Sequence, residues 1–152
     1  MMKIYTILFF LLTFTTLNIN AQSVKLNEEN RDPEYVKNIV NRSQKIVDKL
    51  NINDKETAAN VCNIIANRYF LLNDIYEKRD AAVKEAKEKL SGNEKNAAIQ
   101  AAENEKDSQL YRKHFDFASS LSLYLNDEQI EAVKDGMTYN VVEVTYKAQC
   151  DM

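Results

Sequence analysis

The stretch NDKETAANVCNIIANRYFLLNDIYEKRDAAVKEAKEKLSGN, residues 53–93, decides the fold of this chain. Asn53 followed three residues later by Glu56 predicts a capping box that starts a helix. Apolar residues then recur at three- and four-residue intervals as far as Leu90, which is typical of a helix with one buried face. No helix breaker occurs before Ser91-Gly92-Asn93, so the pattern predicts one helix of about 37 residues and about 55 Å.

A further helix over residues 94–125 follows this turn. It begins with alanines and ends with large side chains, so the two helices are predicted to form an antiparallel hairpin with a thin, charged tip and an aromatic base. Helical spacing predicts a main core of six large residues. They are Tyr69, Leu72, Tyr76, Tyr111, Phe115 and Leu121.

Shorter helices are predicted on both sides of the hairpin. Asp32-Pro33 is a typical helix start, and an apolar stripe continues from it to Leu50. Asn126 with Gln129 repeats the capping box and predicts a short helix over residues 127–135, ended by Gly136 with a positive φ. Residues 137–152 fit a helix or a strand, and a helix is favoured because a lone strand has no partner. With only 2 Gly and 1 Pro, the chain is predicted to be an all-α antiparallel bundle.

The chain begins like an exported protein. Residues 1–21 combine Lys3, an apolar run and a small-residue site ending at Ala21, which is typical of a cleavable signal peptide. We therefore expect a periplasmic or secreted protein with no membrane attachment after cleavage at Ala21. Polar residues 22–31 are predicted to be a disordered linker, and residues 32–152 a single helical domain.

Composition excludes several classes of function. The chain has 20 Lys and Arg against 23 Asp and Glu, which disfavours nucleic-acid binding. His114 is the only histidine, and Cys62 and Cys150 lie far apart in sequence, so neither a metal site nor a cofactor is expected. Cys62 lies in an apolar stripe and is expected to pack as a small hydrophobic residue, while a bridge to Cys150 stays open.

Two groups of residues are candidates for ligand binding, and no catalytic residue is assigned. If the hairpin turns near residue 92, Asn73, Tyr76, Arg79 and His114 could form a cleft that holds a carboxylate. The favoured alternative is an ordinary ion pair of Arg79 with Asp107 or Asp80. The same register places Arg68 beside Phe117.

The second group lies where the fourth helix is predicted to end. Asp135 and Tyr139 flank Gly136 and offer an acid and a phenol within five residues. The alternative is that Asp135 and Thr138 only cap helix ends.

Three motifs resemble a catalogued bacterial family. They are Tyr69-x-x-Leu72-Asn73-x-Ile75-Tyr76-x-x-Arg79-Asp80, Leu125-Asn126-Asp127-Glu128-Gln129, and Asp135-Gly136-Met137-Thr138-Tyr139 followed by Val144-Thr145-Tyr146. With these motifs the chain resembles domain of unknown function 3826 from residue 32 to residue 152. The resemblance implies a helical domain exported by Bacteroides-type bacteria, often encoded beside polysaccharide-degrading enzymes, with no established activity. It also implies a further helix beyond Met152, so a C-terminally truncated member is expected.

Three functions from different classes stay open at this point. The favoured one is a non-catalytic binding or accessory module of the cell envelope, with a glycan or an envelope protein as partner. The second is an enzyme acting on acidic polysaccharide, in which Arg79 or Arg68 holds a carboxylate and His114 or Tyr139 transfers a proton. The third is a periplasmic chaperone of the stress-response type.

Overall fold

The computed structural model describes residues 23–138 as four helices. They are α1 (Pro33–Val47), α2 (Lys55–Lys89), α3 (Gly92–Ser122) and α4 (Asp127–Met137). No strand occurs between residues 23 and 138, so the predicted all-α fold is confirmed. Within that range, none of the helices combines the length and the hydropathy that a membrane span requires.

The long hairpin forms where it was predicted. α2 ends at Lys89 and α3 begins at Gly92, with Ser91 as the N-cap. Gly92 has φ +53°, a left-handed conformation that favours glycine. This tight reversal places α3 antiparallel to α2, and α1 and α4 pack beside them at the base of the hairpin.

Capping residues fix three of the helix starts. The Asp32 carboxylate accepts a hydrogen bond from Tyr35 N at 2.8 Å, with Pro33 at the first helical position. Asn126 and Gln129 form the predicted reciprocal capping box. At α2 the prediction is displaced by one residue, because Asp54 rather than Asn53 is the cap and accepts from Thr57 N at 2.7 Å.

The core lies at the base and differs from the predicted one. Its most buried large side chains include Ile65, Phe70, Leu121 and Val133. Leu121 is confirmed, and Tyr69 and Leu72 are partly buried. The prediction is wrong for three residues, since the exposed fractions of Tyr76, Tyr111 and Phe115 are 43%, 71% and 60%.

The register of α3 explains this error. Phe117, Leu121 and Leu125 follow one another at four-residue intervals and face the core. Residues two apart on a helix point about 200° apart, so Phe115 points away from the face that carries Phe117. Tyr111 lies one turn before Phe115 and shares its exposed face, where the two rings contact each other edge to face.

Gly136 does not end α4 as predicted. It lies inside the helix, which continues to Met137, and Gly92 is the only positive-φ glycine of the described chain. A Cβ at position 136 would lie 3.1 Å from both Cγ1 and Cγ2 of Ile46. Glycine at this position therefore permits the close packing of α4 against α1 and does not form a turn.

The N-terminal strap, residues 24–31, is ordered against the bundle, which corrects the predicted disordered linker. Val24 and Leu26 pack against the two buried clusters. Val24 N and Asn27 N each donate a 2.8 Å hydrogen bond to a side chain of α2. The polar composition of this segment predicted disorder. The prediction failed because the side chains that accept hydrogen bonds from the strap backbone lie 36 and 40 residues away in sequence. The predicted signal peptide and residues 139–152 lie outside the described residues.

Candidate functional site

Arg79 is held by two carboxylates. Its Nη1 lies 2.7 Å from Glu103 Oε1 on α3, and its Nε lies 2.8 Å from Asp80 Oδ1. The predicted ion pair with Asp80 is therefore present, whereas Glu103 takes the place expected for Asp107. The pKa of the Glu103 carboxyl is lowered by hydrogen bonds from Lys106 and from Arg79. A cation with two acidic neighbours has little attraction left for an external anion.

The other residues of the predicted Arg79 cleft are only partly brought together. The guanidinium of Arg79 lies 5.7 Å from the ring centroid of Tyr76. Asn73 donates to Glu77 at 2.8 Å and lines a separate surface cavity of about 410 Å³ beside Tyr35. His114 is exposed, and its ring contacts Phe115 with 5.6 Å between centroids.

The second predicted group is described only in part. Asp135 is exposed on α4, and Tyr139 lies outside the described residues. Thr138 caps α4, and its hydroxyl donates to the backbone oxygens of Lys134 and Asp135 at 3.2 and 3.1 Å. The capping alternative is therefore correct for Thr138.

A different cleft lies between α2, α3 and the strap, and we call it the Arg68 cleft. Its volume is about 280 Å³. Ile64, Leu71 and Phe117 supply its apolar surface. The polar and charged lining residues are Asn27, Asn67, Arg68, Lys113, Asp116 and Ser120.

The Arg68 guanidinium is the distinctive group of this cleft. Its Nη1 donates to the backbone oxygen of Lys113 at 3.1 Å, and its Cζ lies 5.5 Å from the Phe117 ring centroid. The pKa of Arg68 is lowered, because burial disfavours the charge and the nearby Asp116 carboxylate only partly opposes this effect. The side chain is thus a partly desolvated cation, stabilised by a carbonyl and an aromatic face.

The charges around Arg68 leave it open to an anion. Among the described residues, Asp116 is the only acid that lines the cleft, and it pairs with Lys113 at 3.0 Å. Within the described chain, no carboxylate lies within ion-pair distance of Arg68, whereas Arg31 and Arg79 each contact an acid at 2.8 Å or less. Arg68 can therefore direct hydrogen bonds into the cleft.

Arg68 was one of two arginines predicted to hold a carboxylate, but Arg79 rather than Arg68 was placed in the candidate cleft. The hairpin register correctly placed Arg68 beside Phe117. The spacing did not show that Asp116 would pair with Lys113, or that residue 27 of the strap would form a wall. No group of three potential metal ligands occurs in residues 23–138.

With four helices, one long hairpin and a lateral cleft, residues 23–138 form a small all-helical domain. The chain belongs to the family described as protein of unknown function (DUF3826), whose model matches residues 36–152. The resemblance seen in the three motifs is thereby confirmed. None of the curated proteins compared with the chain matches it significantly.

Proposed function

We propose that this protein is a non-catalytic binding module of the cell envelope. Residues 1–21 would direct its export as a signal peptide and would then be removed. We further propose that the Arg68 cleft binds a carboxylate-bearing ligand, with an acidic saccharide as the best fit. The observation that carries the proposal is the partly desolvated Arg68 cation, which contacts a carbonyl and a ring but pairs with no described acid. The link to polysaccharide comes from the gene neighbourhoods that the family resemblance implies.

The chemistry of the cleft suits a single acidic sugar unit. A guanidinium binds a planar carboxylate through two parallel N–H groups. Phe117 and Leu71 offer an apolar face to the C–H groups of a sugar ring, and Ser120 and Asn27 offer polar groups for hydroxyls. The volume of about 280 Å³ suits one ring of a chain that continues into solvent.

Binding is proposed rather than catalysis because the cleft lacks a suitable acid–base pair among its described lining residues. Asp116 is engaged by Lys113, and His114 lies on the exposed side of α3. General acid–base chemistry requires such a group within hydrogen-bond reach of the ligand. The enzyme alternative would therefore need a proton donor from outside the described lining of the cleft.

The test is titration of the full-length protein with an acidic and a neutral oligosaccharide of equal length. Oligogalacturonate and the matching oligogalactoside can be compared by calorimetry. We expect binding of the acidic ligand only, and a loss of at least tenfold in affinity in R68Q. R112Q is the matched control. It also removes one arginine charge, but at a side chain of α3 that is 63% exposed and lies outside the cleft.

Two results would overturn the proposal. Equal affinity of wild type and R68Q would exclude Arg68 as the anchor. An equal loss in R68Q and R112Q would show that the acidic ligand responds to overall charge rather than to the cleft.

A further inference from the structure

Three asparagines on one face of α2 hold the strap, and we call them the asparagine ladder. Asn60, Asn63 and Asn67 are spaced by three and four residues, which places them in a row along the helix. Asn60 Oδ1 accepts from Val24 N, and Asn63 Nδ2 donates to Val24 O, both at 2.8 Å. The row therefore satisfies both backbone groups of one strap residue.

Asn67 repeats this arrangement further along the strap. Its Oδ1 accepts from Asn27 N and its Nδ2 donates to Lys25 O, again both at 2.8 Å. All four ladder bonds reach the backbone of the strap and none reaches its side chains. Recognition by the ladder is therefore independent of the residue types it holds, except proline where an N–H is required.

Apolar residues at alternate positions complete the contact. Val24 and Leu26 pack against the buried clusters, whereas Lys25 and Asn27 are exposed. Such alternation is the pattern of an extended peptide whose successive side chains point to opposite sides. The ladder on α2 and the adjoining apolar clusters thus combine backbone hydrogen bonds with sites for two apolar side chains, as in other modes of extended-peptide recognition.

A latch lies at the far end of the strap. Arg31 makes two hydrogen bonds to the Asp74 carboxylate, at 2.8 and 2.7 Å, and lies 4.6 Å from the Phe70 ring centroid. Between the last ladder contact at Asn27 and the latch, residues 28–30 are exposed. Besides the ladder, the described contacts that hold the strap are those of two partly buried apolar side chains, Val24 and Leu26, and those of Arg31 with Asp74 and Phe70.

We propose that the asparagine ladder is a peptide-binding groove that the chain's own strap occupies. Its external ligand is an extended peptide with apolar residues at alternate positions. Asn60 is 3% exposed, and a buried amide without a hydrogen-bond partner is destabilising. An incoming backbone can replace all four bonds that the strap backbone makes to the ladder, so exchange leaves no ladder amide unpaired. This activity goes beyond anion binding at Arg68.

The test uses full-length protein and a labelled peptide of the strap sequence, QSVKLNEENRD. Val24→Ser with Leu26→Ser weakens the chain's own strap without touching the ladder. Fluorescence anisotropy should show at least tenfold tighter peptide binding to this double variant than to wild type. Adding Asn63→Ala or Asn67→Ala should reverse the gain by at least tenfold, and a peptide with serine at both apolar positions should not bind.

The variants also separate the possible outcomes. Should circular dichroism show that the double variant is unfolded, Arg31→Gln releases the latch alone and should give a smaller gain of the same sign. A folded strap-weakened variant that binds no better than wild type would overturn the proposal, as would a gain that survives Asn63→Ala. R68Q leaves the ladder intact, so failure of anion binding and failure of peptide binding are distinguishable.

Discussion

The base and the tip of the hairpin are built from the same two helices and stabilised in different ways. At the base, Val61 and Ile65 of α2 meet Leu121 of α3 and Val133 of α4, and the exposed fraction of all four is 0%. In the tip, residues 80–104, Ala86 is the only buried residue. The two ion pairs that lie wholly within residues 80–104, Lys84–Glu88 and Lys89–Glu85, are surface pairs.

This difference shows which interactions each region depends on. Burial of apolar area stabilises the base by roughly 25 cal/mol for each Å² removed from water. Surface ion pairs contribute little, so helix propensity carries much of the stability of the tip. We therefore expect the tip to open before the base unfolds.

The largest effect is expected from Leu121→Ala in the base. The side chain is fully buried, so its truncation should lower the free energy of unfolding by about 2–5 kcal/mol. Leu123→Ala is the control, because Leu123 lies two residues away and is 78% exposed; its effect should be within about 0.5 kcal/mol. Urea denaturation followed by circular dichroism measures both, and similar losses would show that the α3 register is wrong.

A smaller loss is expected from Gly136→Ala. Alanine favours a helix over glycine by up to about 1 kcal/mol. Here its Cβ would lie 3.1 Å from two carbons of Ile46, a β-branched residue that is 6% exposed and cannot turn aside. Overpacking should prevail, with a net loss of about 1–2 kcal/mol in urea denaturation. Ile46→Ala in the same chain should convert the effect of Gly136→Ala into a gain, and a stabilised single variant would contradict the packing argument.

Local sequence signals were sufficient to predict the hairpin and the caps of α1 and α4. The turn at Gly92, the cap at Asp32 and the box at Asn126 each depend on residues within four positions. Which side chains are buried in the core depends instead on tertiary packing. The pairs Tyr111–Phe115 and Phe117–Leu121 have the same helical spacing, and only the neighbouring helices determine which pair is buried.

For the candidate site, too, the sequence predicted which residues lie side by side but not which of them form ion pairs. Helical register placed Arg68 beside Phe117 and Arg79 beside α3. It could not show which arginine the acids would neutralise, because that depends on side-chain geometry between helices. The strap was missed for the same reason, since its ladder partners lie 36 to 42 residues away in sequence.

The tip itself can be tested by Ala81→Gly, an exposed change in α2. Loss of helix propensity should weaken the tip locally by up to about 1 kcal/mol. Hydrogen exchange of tip amides should become faster, while the urea midpoint stays unchanged because the tip has opened before the base unfolds. Ala132→Gly, equally exposed on α4 in the base, should instead lower the midpoint. A lowered midpoint in both variants would show that tip and base unfold together.

The smallest effect concerns the latch between Arg31 and Asp74. Hydrogen bonds from Arg31 hold the pKa of the Asp74 carboxyl below its ordinary value, with burial opposing. A carboxyl with a lowered folded-state pKa stabilises the fold above its unfolded pKa of about 3.9 and loses that contribution as the pH falls through the folded value. The resulting gain in stability is small, because the Asp74 side chain is 48% exposed and water screens the pair.

Protection factors for the Val24 and Asn27 amides, which donate to the ladder, should therefore fall in wild type between about pH 5 and pH 2. In Asp74→Asn they should already be low and should change little over that range, while Glu28→Gln on the exposed strap should behave as wild type. A parallel fall in Asp74→Asn would show that another carboxylate holds the strap.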